Sequence, residues 1–409
     1  MTSMEKFDKL ILFVYIDALD FSKLNLLLRK TSFLRVVDTM LPLNNIPGYS
    51  FGIQSTLLTG RLPQEHKHWM PYIYLGEETE GRKNHMERIK KALTPIKLLL
   101  PLKFRFNSKV VELLFTQSNN VIHRIIIGRK ALLSSIPLEW FDKIYVYPYY
   151  YMNELPFFKI FEEEIKKEGC QVYYLGHSLS NCVEELASTV LKSYRRRHEK
   201  VLLFLYIDDL DRVGHRYGTF TSYYLNTMLC IDAFLHKVFK TCERISKDLI
   251  LLAFSDHGIC DTAGKIDLVR ILKRIIEHVE FAVIDATLAF VWLKEGSRVD
   301  NMVSYLKLQL RDQAIIFTPL YNKRDLERYG VYFNNREYGD IIIQLRPCRI
   351  FYPNFYSSLW WLKALHGFWP TEEVQKSFLA VRSSAAYSDL FRNLRSVADI
   401  RDVLIRLVK

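Results

Sequence analysis

Residues 201–218 read VLLFLYIDDLDRVGHRYG, and this stretch decides the fold class. Its first seven residues, 201–207, form an apolar run that is typical of a strand buried on both faces of a parallel sheet. Two aspartates follow at once, and Asp211 and His215 come just behind them, four residues apart. A strand that ends in acidic and imidazole side chains predicts a binding site at the edge where the strand stops.

The same pattern occurs twice more along the chain. The run 10–16 ends at Asp17, and the run 249–254 is followed, one serine later, by Asp256 and His257. Because the carboxyl ends of parallel strands meet at one edge of a sheet, three separated segments should deliver acidic and imidazole groups to the same place. This convergence predicts a functional site without reference to any known family.

Segments with the patterns of strands and helices alternate along the chain. Further predicted strands are 171–176 and 340–345, and amphipathic stretches are found at 86–100, 159–169, 180–197 and 265–279. Such alternation is typical of α/β proteins, in which helices cover both faces of the sheet. We therefore expect a mostly parallel central sheet sandwiched by helices.

Composition indicates a folded protein with anionic partners. Of the 409 residues, 49% are hydrophobic, which argues against an intrinsically disordered chain. The net charge of +12 favours phosphate esters, nucleotides, nucleic acid or an anionic membrane surface, although a lysine-rich surface that serves only solubility would give the same charge.

Two further features concern the cellular compartment. The six cysteines include no C-x-x-C pair, and in a chain of this length they do not indicate a disulfide framework. The N-terminal apolar run, 10–16, is too short for a signal-peptide core or a membrane span. The prediction is a cytoplasmic protein.

The stretch 67–165 differs from the rest of the chain, because it is basic and aromatic and has weak periodicity. We interpret it as an insertion or cap, with its last third returning to the core, so that 1–66 and 166–409 form the catalytic core. The alternative is an ordinary part of the α/β core.

A second chemical candidate lies in PGYSFGIQSTLLTGRLPQEHKHW, residues 47–69. A hydroxyl at a loop-to-helix junction is well placed to attack phosphorus, because the helix N-terminus favours a bound phosphate. By residue chemistry alone Ser50, Ser55 and Thr56 are equal candidates, and an ordinary helix cap is the simpler interpretation of each.

The acidic and imidazole residues, together with His366 of KALHGFWP, divide into two sets of three. Each set has the mixed nitrogen and oxygen donors that Zn²⁺ accepts, with a nucleophile or substrate oxygen completing the coordination. The sequence therefore predicts two divalent metal ions, Zn²⁺ with Mn²⁺ as the alternative. The expected ligands are Asp17, Asp256 and His257 for one ion, and Asp211, His215 and His366 for the other.

The ordered set D…S…T-G-x-x-P-x-x-H…D-x-x-x-H…D-H-G…H-G resembles the alkaline phosphatase superfamily, and within it the type I phosphodiesterase/nucleotide pyrophosphatase family. In that family the nucleophilic Thr or Ser lies ten residues before the Gly of T-G-x-x-P-x-x-H-G. Counting back ten residues from Gly60 gives Ser50, which the resemblance therefore implies as the nucleophile and as a metal ligand. The closing segment 396–409 resembles the last helix of the family.

Two positions depart from the family pattern. Gly52 stands where the family usually has proline, and Lys67 stands where it usually has glycine. A sulfatase is disfavoured, because that branch needs C/S-x-P-x-R and Ser50 is followed by FGIQ.

The resemblance implies an alkaline phosphatase-like fold and a two-metal hydrolase of anionic phosphate esters that acts through a phosphoseryl intermediate on Ser50. The alternatives are a phosphomonoesterase, a phosphoryl-alcohol transferase, and a non-catalytic binding protein that retains the fold. No specific nucleic-acid partner is predicted, whereas peripheral contact with an anionic membrane or lipid is compatible with the charge.

Overall fold

The computed structural model of the chain describes residues 6–19, 33–74, 144–147, 151–196, 200–354 and 362–409. Its strands are β1 (Phe7–Ile16), β2 (Thr39–Leu43), β3 (Tyr72–Tyr74), β4 (Ile144–Val146), β5 (Cys170–His177), β6 (Lys200–Ile207), β7 (Ser246–Ser255), β8 (Cys260–Asp261), β9 (Gly264–Ile266), β10 (Val279–Ile284), β11 (Leu288–Leu293), β12 (Ala314–Phe317), β13 (Ile341–Leu345), β14 (Arg349–Phe351), β15 (Ala364–Leu365) and β16 (Ser377–Arg382).

Helices lie between most of these strands. They are α1 (Ser50–Thr59), α2 (Pro63–His66), α3 (Pro156–Lys167), α4 (Leu179–Arg196), α5 (Asp209–Tyr217), α6 (Ser222–Ile245), α7 (Leu268–Lys273), α8 (Val299–Leu310), α9 (Lys323–Arg328), α10 (Ser388–Arg392) and α11 (Asp399–Val408). Short 3₁₀ turns occur at Leu34–Val36, Met152–Glu154, Arg311–Gln313, Glu373–Gln375 and Ala385–Tyr387.

Among the described residues, the central sheet has six strands in the order β2-β16-β7-β1-β6-β5. Strands β7, β1, β6 and β5 run parallel, whereas β16 pairs antiparallel with both β7 and β2. The predicted α/β class is confirmed, with a mixed sheet flanked by helices. Ile16 of β1 pairs with Ile207 of β6, and Tyr15 pairs with Phe254 of β7, so these three strands end at the same level.

Strand β1 is apolar along almost its whole length because helices cover both of its faces. Leu12 and Val14 pack in one cluster with Leu235 of α6. Phe13 and Tyr15 point the other way and pack in a cluster to which α1, α3 and α11 contribute. The alternation of side chains along a strand thus places β1 at the centre of two hydrophobic cores.

A second sheet has the order β10-β11-β13-β12 and is antiparallel throughout. One of its faces packs against a cluster that includes Trp69 and Tyr72, and the other packs against α7 and α8. The strand predicted at 340–345 is confirmed as β13, but it belongs to this second sheet and not to the parallel one.

The amphipathic stretch 265–279 is helical only over Leu268–Lys273. Asp267 caps the helix by accepting a hydrogen bond from the Arg270 amide, at 2.8 Å. The β-rich sequence from 279 onward pairs with β11, which draws this part of the chain into the second sheet. The helices predicted near 159–169, 180–197 and the C-terminus are present as α3, α4 and α11.

The stretch 67–165 is described only in part. Its first residues, Trp69 to Tyr74, pack against the second sheet, and its last residues, in α3, place Phe161 and Ile165 in the central core. The amphipathic stretch 86–100 lies outside the described residues, and the division of the chain at residues 66 and 166 stays a prediction.

None of the helices in the described ranges is long and apolar enough to cross a membrane. The cytoplasmic location stays a prediction.

Gly52, in the first turn of α1, is required by a close approach of another backbone segment. A Cβ at this position would lie 2.6 Å from the carbonyl oxygen of Trp69 and 3.2 Å from Cδ1 of Ile46. Trp69 is completely buried, and its indole Nε1 donates to the carbonyl of Pro47 at 2.7 Å, so this segment is fixed over the start of the helix.

We predict that Gly52→Ala destabilises the protein by about 1–3 kcal/mol, because the new methyl group overlaps a backbone oxygen that cannot rotate away. The sign of this change in the free energy of unfolding is informative, since replacing glycine by alanine within a helix ordinarily stabilises a protein by about 0.5–1 kcal/mol. Urea unfolding of the two proteins measures the difference. A variant as stable as the wild type, or more stable, would contradict the close approach.

Candidate metal centre and nucleophile

The first candidate metal group is built where β1 and β7 end. Asp17 follows β1 directly, and Asp256 and His257 follow β7. Nε2 of His257 lies 3.1 Å from Oδ2 of Asp256 and 3.6 Å from Oδ1 of Asp17. All three side chains are buried, so their polar atoms face one another and not bulk solvent.

Two tyrosines from neighbouring strands orient these carboxylates. Tyr15 donates its hydroxyl to Oδ2 of Asp256 at 2.8 Å, and Tyr206 donates to Oδ2 of Asp17 at 2.7 Å. Both tyrosines are buried and lie side by side in adjacent strands, with ring centroids 4.9 Å apart. Asp17 is therefore fixed through Oδ2, whereas Asp256 is fixed through both oxygens, since its Oδ1 also accepts from the amides of Ala18 and His257 at 3.3 and 3.0 Å.

The second group consists of Asp211, His215 and His366. Asp211 and His215 share one face of α5 because they lie four residues apart, and His366 follows β15. Nε2 of His215 lies 3.2 Å from Oδ1 of Asp211 and 3.1 Å from Nε2 of His366. The His366 nitrogen in turn lies 3.4 Å from the same Asp211 oxygen.

The two groups are neighbours. The rings of His257 and His366 stack with centroids 3.8 Å apart and planes inclined by 11°. One histidine from each group thus forms the boundary between them, and all six residues that the sequence analysis singled out as ligands meet at one edge of the central sheet.

The ring contacts of His257 and His215 determine which nitrogen is available to a metal. Nδ1 of His257 lies 3.0 Å from the carbonyl of Gly258, and Nδ1 of His215 lies 2.8 Å from the carbonyl of Ala364. A carbonyl oxygen can only accept, so Nδ1 carries the proton in each ring. Nε2 is then the atom that can act as a ligand.

Two groups of the site, Asp17 and His366, are disfavoured in their charged forms. Burial, followed by the negative charges of Asp256 and Asp211, raises the pKa of Asp17 well above its usual value. For His366, burial and then the charges of His257 and His215 hold the pKa well below its usual value. A buried carboxylate that resists ionisation and a neutral imidazole both favour a bound cation.

The donor atoms fit divalent cations in two respects. Oδ1 of Asp17 and Oδ1 of Asp211 are buried and accept no hydrogen bond from any described residue. Tetrahedral zinc with bonds of 2.0–2.1 Å holds its ligand atoms about 3.3 Å from one another. The separations in the Asp211 group, 3.1, 3.2 and 3.4 Å, agree with that spacing. The six residues form two groups whose donor atoms lie within 4.8 Å of one another.

The three hydroxyls that residue chemistry alone could not separate have different surroundings. Oγ of Ser50 lies 2.9 Å from Nε2 of His257, at the first metal group. Ser55 donates to the carbonyl of Phe51 at 2.9 Å, along its own helix, and Oγ1 of Thr56 lies 3.1 Å from Nε2 of His66. Of the three, Ser50 is the one that the structure brings to the predicted ligands.

The sequence profile of the type I phosphodiesterase/nucleotide pyrophosphatase family matches residues 13–369. The chain belongs to this family. Membership supports phosphate-ester hydrolysis as the class of reaction, and the family implies divalent metal ions, for which the two groups above are suited. A sequence search against curated proteins finds no match.

Solved structures of family members have the same fold. Murine ectonucleotide pyrophosphatase/phosphodiesterase 5 superposes with a TM-score of 0.60 at 16% identity, over 97% of this chain and 94% of its own. The human protein of the same name gives a TM-score of 0.61 at 15% identity, with the same coverage of 97% and 94%. An inactive variant of the murine protein in complex with AMP gives 0.60 at 15% identity, covering 99% of this chain and 95% of its own.

The two departures from the family pattern have physical explanations. At Gly52 the Trp69 backbone leaves no room for the side chain that the family usually has. Lys67 keeps the left-handed backbone that suits a glycine, with φ of 65°. Its ammonium group contacts Glu337 at 3.6 Å and lies 5.2 Å from the centre of the Phe333 ring, so the side chain makes contacts that glycine lacks.

Two buried amide side chains that join the loops of the site were not predicted from the sequence. Gln375 accepts hydrogen bonds from the amides of Gly367 and Phe368, at 3.1 and 2.8 Å, and donates to the carbonyl of Gly48 at 2.9 Å. Asn45 donates to the carbonyls of Asp256 and Gln375, at 2.6 and 2.9 Å. Both amides are buried, and they join the loops before Ser50, at Asp256 and at His366.

Among the residues that support the ligands, the two tyrosines that donate to Asp17 and Asp256 are the ones that a sequence pattern could have revealed. Tyr15 and Tyr206 both stand in a Y-I-D triplet at the end of an apolar run, at 15–17 and 206–208. Asn45 and Gln375 lie in stretches without periodicity, where an amide has no recognisable partner until the fold is known.

We predict that Gln375→Met lowers the free energy of unfolding by at least about 2 kcal/mol, because two buried amides and the carbonyls of Ile46 and Gly48 lose their partner. Folded Gln375→Met should also lose about tenfold or more in kcat, since the His366 loop is no longer fixed to the Ser50 loop. Urea unfolding and steady-state kinetics measure the two effects.

Gln309→Met is the matched control, because it makes the same change at a half-buried position of α8, away from both metal groups. Equal stability and kcat in Gln375→Met and the control would show that the buried amide does not position the site.

Proposed function

We propose that the chain is a two-metal hydrolase of phosphate esters that acts through a phosphoseryl intermediate on Ser50, with phosphodiesters or nucleotide pyrophosphates as substrates. The observation that carries the proposal is the position of the Ser50 hydroxyl, 2.9 Å from His257 and beside two adjoining groups of metal-binding side chains. A nucleophile next to paired cations is an arrangement that promotes in-line displacement at phosphorus.

Asp17, Asp256 and His257 would hold one divalent cation, and Asp211, His215 and His366 the other. When bound, such ions supply Lewis acidity, which favours ionisation of a serine hydroxyl and offsets the negative charge that develops on phosphoryl oxygens. The mixture of imidazole and carboxylate ligands favours Zn²⁺, with Mn²⁺ as the alternative.

The proposed reaction consists of two displacements at phosphorus, and Ser50 takes part in both. Oγ of Ser50 forms a bond to phosphorus while the bond to the leaving alcohol or phosphate breaks. Water then attacks the phosphoseryl ester, the bond from phosphorus to Oγ breaks, and Ser50 regains its proton. Ser50 is the first residue of α1, so the helix dipole favours the anionic phosphoryl group at both stages.

The substrate class rests on charge and on family membership. The net charge of +12 favours an anionic ligand, and the structural relative solved with AMP is a nucleotide pyrophosphatase/phosphodiesterase by name. We therefore propose nucleotide diesters or pyrophosphates ahead of monoesters. Peripheral contact with an anionic membrane or lipid rests on the charge alone and stays a prediction.

A panel of nitrophenyl substrates tests the substrate class. We expect the zinc-loaded protein to release nitrophenol faster from the nitrophenyl ester of thymidine monophosphate than from nitrophenyl phosphate, and chelation to abolish both activities. Faster turnover of the monoester would favour a phosphomonoesterase. Transfer of the phosphoryl group to an added alcohol in place of water would favour a transferase, and absence of all turnover would favour a non-catalytic binding protein.

We predict that Ser50→Ala abolishes turnover, because the attacking oxygen is removed, and that the variant keeps its bound metal, since the three side-chain ligands of each group remain. Steady-state kinetics and elemental analysis of the purified protein measure the two effects.

Ser55→Ala is the control from the same helix, because its hydroxyl bonds only along α1, and it should keep near wild-type turnover. Activity of Ser50→Ala close to that of the wild type would reject the nucleophile assignment.

A further inference from the structure

Two cysteine thiols lie together beside the candidate metal centre, and the proposed hydrolysis uses neither of them. Cys260 belongs to β8, and Cys348 lies in the turn between β13 and β14. The amide of Cys348 donates to Sγ of Cys260 at 3.2 Å. The Cys260 thiol is also hydrogen-bonded to the Cys348 thiol, and this bond lowers the pKa of Cys348 to about 7.

Both residues are reduced in the structure and both are partly exposed, so a small oxidant can reach them. Cys348 is the more reactive of the two. A pKa of about 7 gives it a larger thiolate fraction at neutral pH than an ordinary cysteine has, and the thiolate is the form that attacks disulfides.

The backbone connects this pair to the metal ligands. Cys260 lies three residues after His257, and in the pairing of β8 with β15 it stands opposite Leu365, which directly precedes His366. Cys348 in turn accepts hydrogen bonds at its carbonyl from the amides of Ala263 and Gly264, at 2.8 and 3.2 Å. A movement of either sulfur is therefore passed to two paired segments, β8 and β15, which adjoin His257 of one metal group and His366 of the other.

The turn at Cys348 has a backbone that is unusual for this residue. Its φ of 65° lies in the left-handed region, which favours glycine or asparagine. The amide of Cys348 in this turn points at Sγ of Cys260, so the two residues are held next to each other.

We propose that Cys260 and Cys348 are a reversible modification site at which an intramolecular disulfide forms and weakens the adjoining metal centre. The existence of the disulfide is independent of the proposed function, whereas its effect on turnover rests on that function.

With glutathione disulfide as the oxidant, the reaction balances in two exchange steps. The Cys348 thiolate attacks one sulfur of glutathione disulfide, a mixed disulfide forms, and one glutathione thiolate leaves. Cys260 loses its proton to solvent and attacks the Cys348 sulfur, which releases the second glutathione. The cysteine pair is oxidised by two electrons, and glutathione disulfide is reduced to two thiols.

Closure brings the sulfurs from hydrogen-bonding distance to about 2.05 Å. The sulfurs must approach by more than about 0.5 Å, the tolerance within which a catalytic arrangement must be held, and the part of this approach that side-chain rotation does not absorb displaces β8 and the Cys348 turn. We therefore expect kcat/KM of the oxidised protein to fall about tenfold or more, and to recover on reduction.

The test incubates the full-length, metal-loaded protein in glutathione buffers of increasing oxidised fraction. Peptide mapping by mass spectrometry should find a peptide containing Cys260 linked to one containing Cys348, and thiol titration should find two thiols fewer. Metal content and the midpoint of thermal unfolding are followed on the same samples. Cys348→Ser and Cys260→Ser should each abolish the link, whereas Cys230→Ser, at an exposed cysteine, should behave as the wild type.

Absence of the linked peptide under oxidising buffer would overturn the proposal, and so would a link that changes neither metal content nor turnover. If the protein hydrolyses no phosphate ester, the link, the thiol count and the metal content still decide whether the site exists. Loss of the proposed function and loss of the proposed modification site are thus separate results.

Discussion

The structure depends on the burial of two carboxylates, Asp17 and Asp256, at the same edge of the central sheet. Burial and then the charge of Asp256 raise the pKa of Asp17, whereas at Asp256 burial is outweighed by the charge of His257 and by hydrogen bonds, so that the pKa is lowered. The protein provides each with one tyrosine hydroxyl, from Tyr15 and Tyr206, and leaves Oδ1 of Asp17 without a hydrogen-bond donor among the described residues. A cation bound at this edge would supply the partner that Oδ1 of Asp17 lacks.

The parts of this arrangement that could be predicted from the sequence are those encoded locally. Strands β1, β6 and β7 are continuous apolar runs, because helices cover both of their faces, and the acidic residue that ends each run marks the edge of the sheet. The ligands could be grouped in advance since Asp211 and His215 are related by one helical turn and Asp256 and His257 are adjacent. Ser50 required the family resemblance, because Ser55 and Thr56 have the same chemistry.

The remaining parts depend on contacts between distant segments. Strand β13 has the same apolar pattern as β1, yet it pairs antiparallel in another sheet, and the pattern alone does not distinguish these outcomes. The helix expected over 265–279 ends at Lys273, and the chain turns there so that it can pair with β11 from Val279 onward. Asn45 and Gln375 join loops that lie hundreds of residues apart in sequence, so their importance becomes visible only after the chain has folded.

The contact between Gly52 and the Trp69 backbone also limits how parts of this family can be exchanged. Proline, which the family pattern has at the position of Gly52, carries a Cβ that would meet the Trp69 oxygen here. With proline at position 52, this chain could keep the helix only if the segment at Trp69 lay farther from it. Residue 52 and the segment around Trp69 therefore have to be exchanged together. A chimera that takes a proline at position 52 from a relative but keeps the Trp69 segment of this chain would contain a steric clash at this contact.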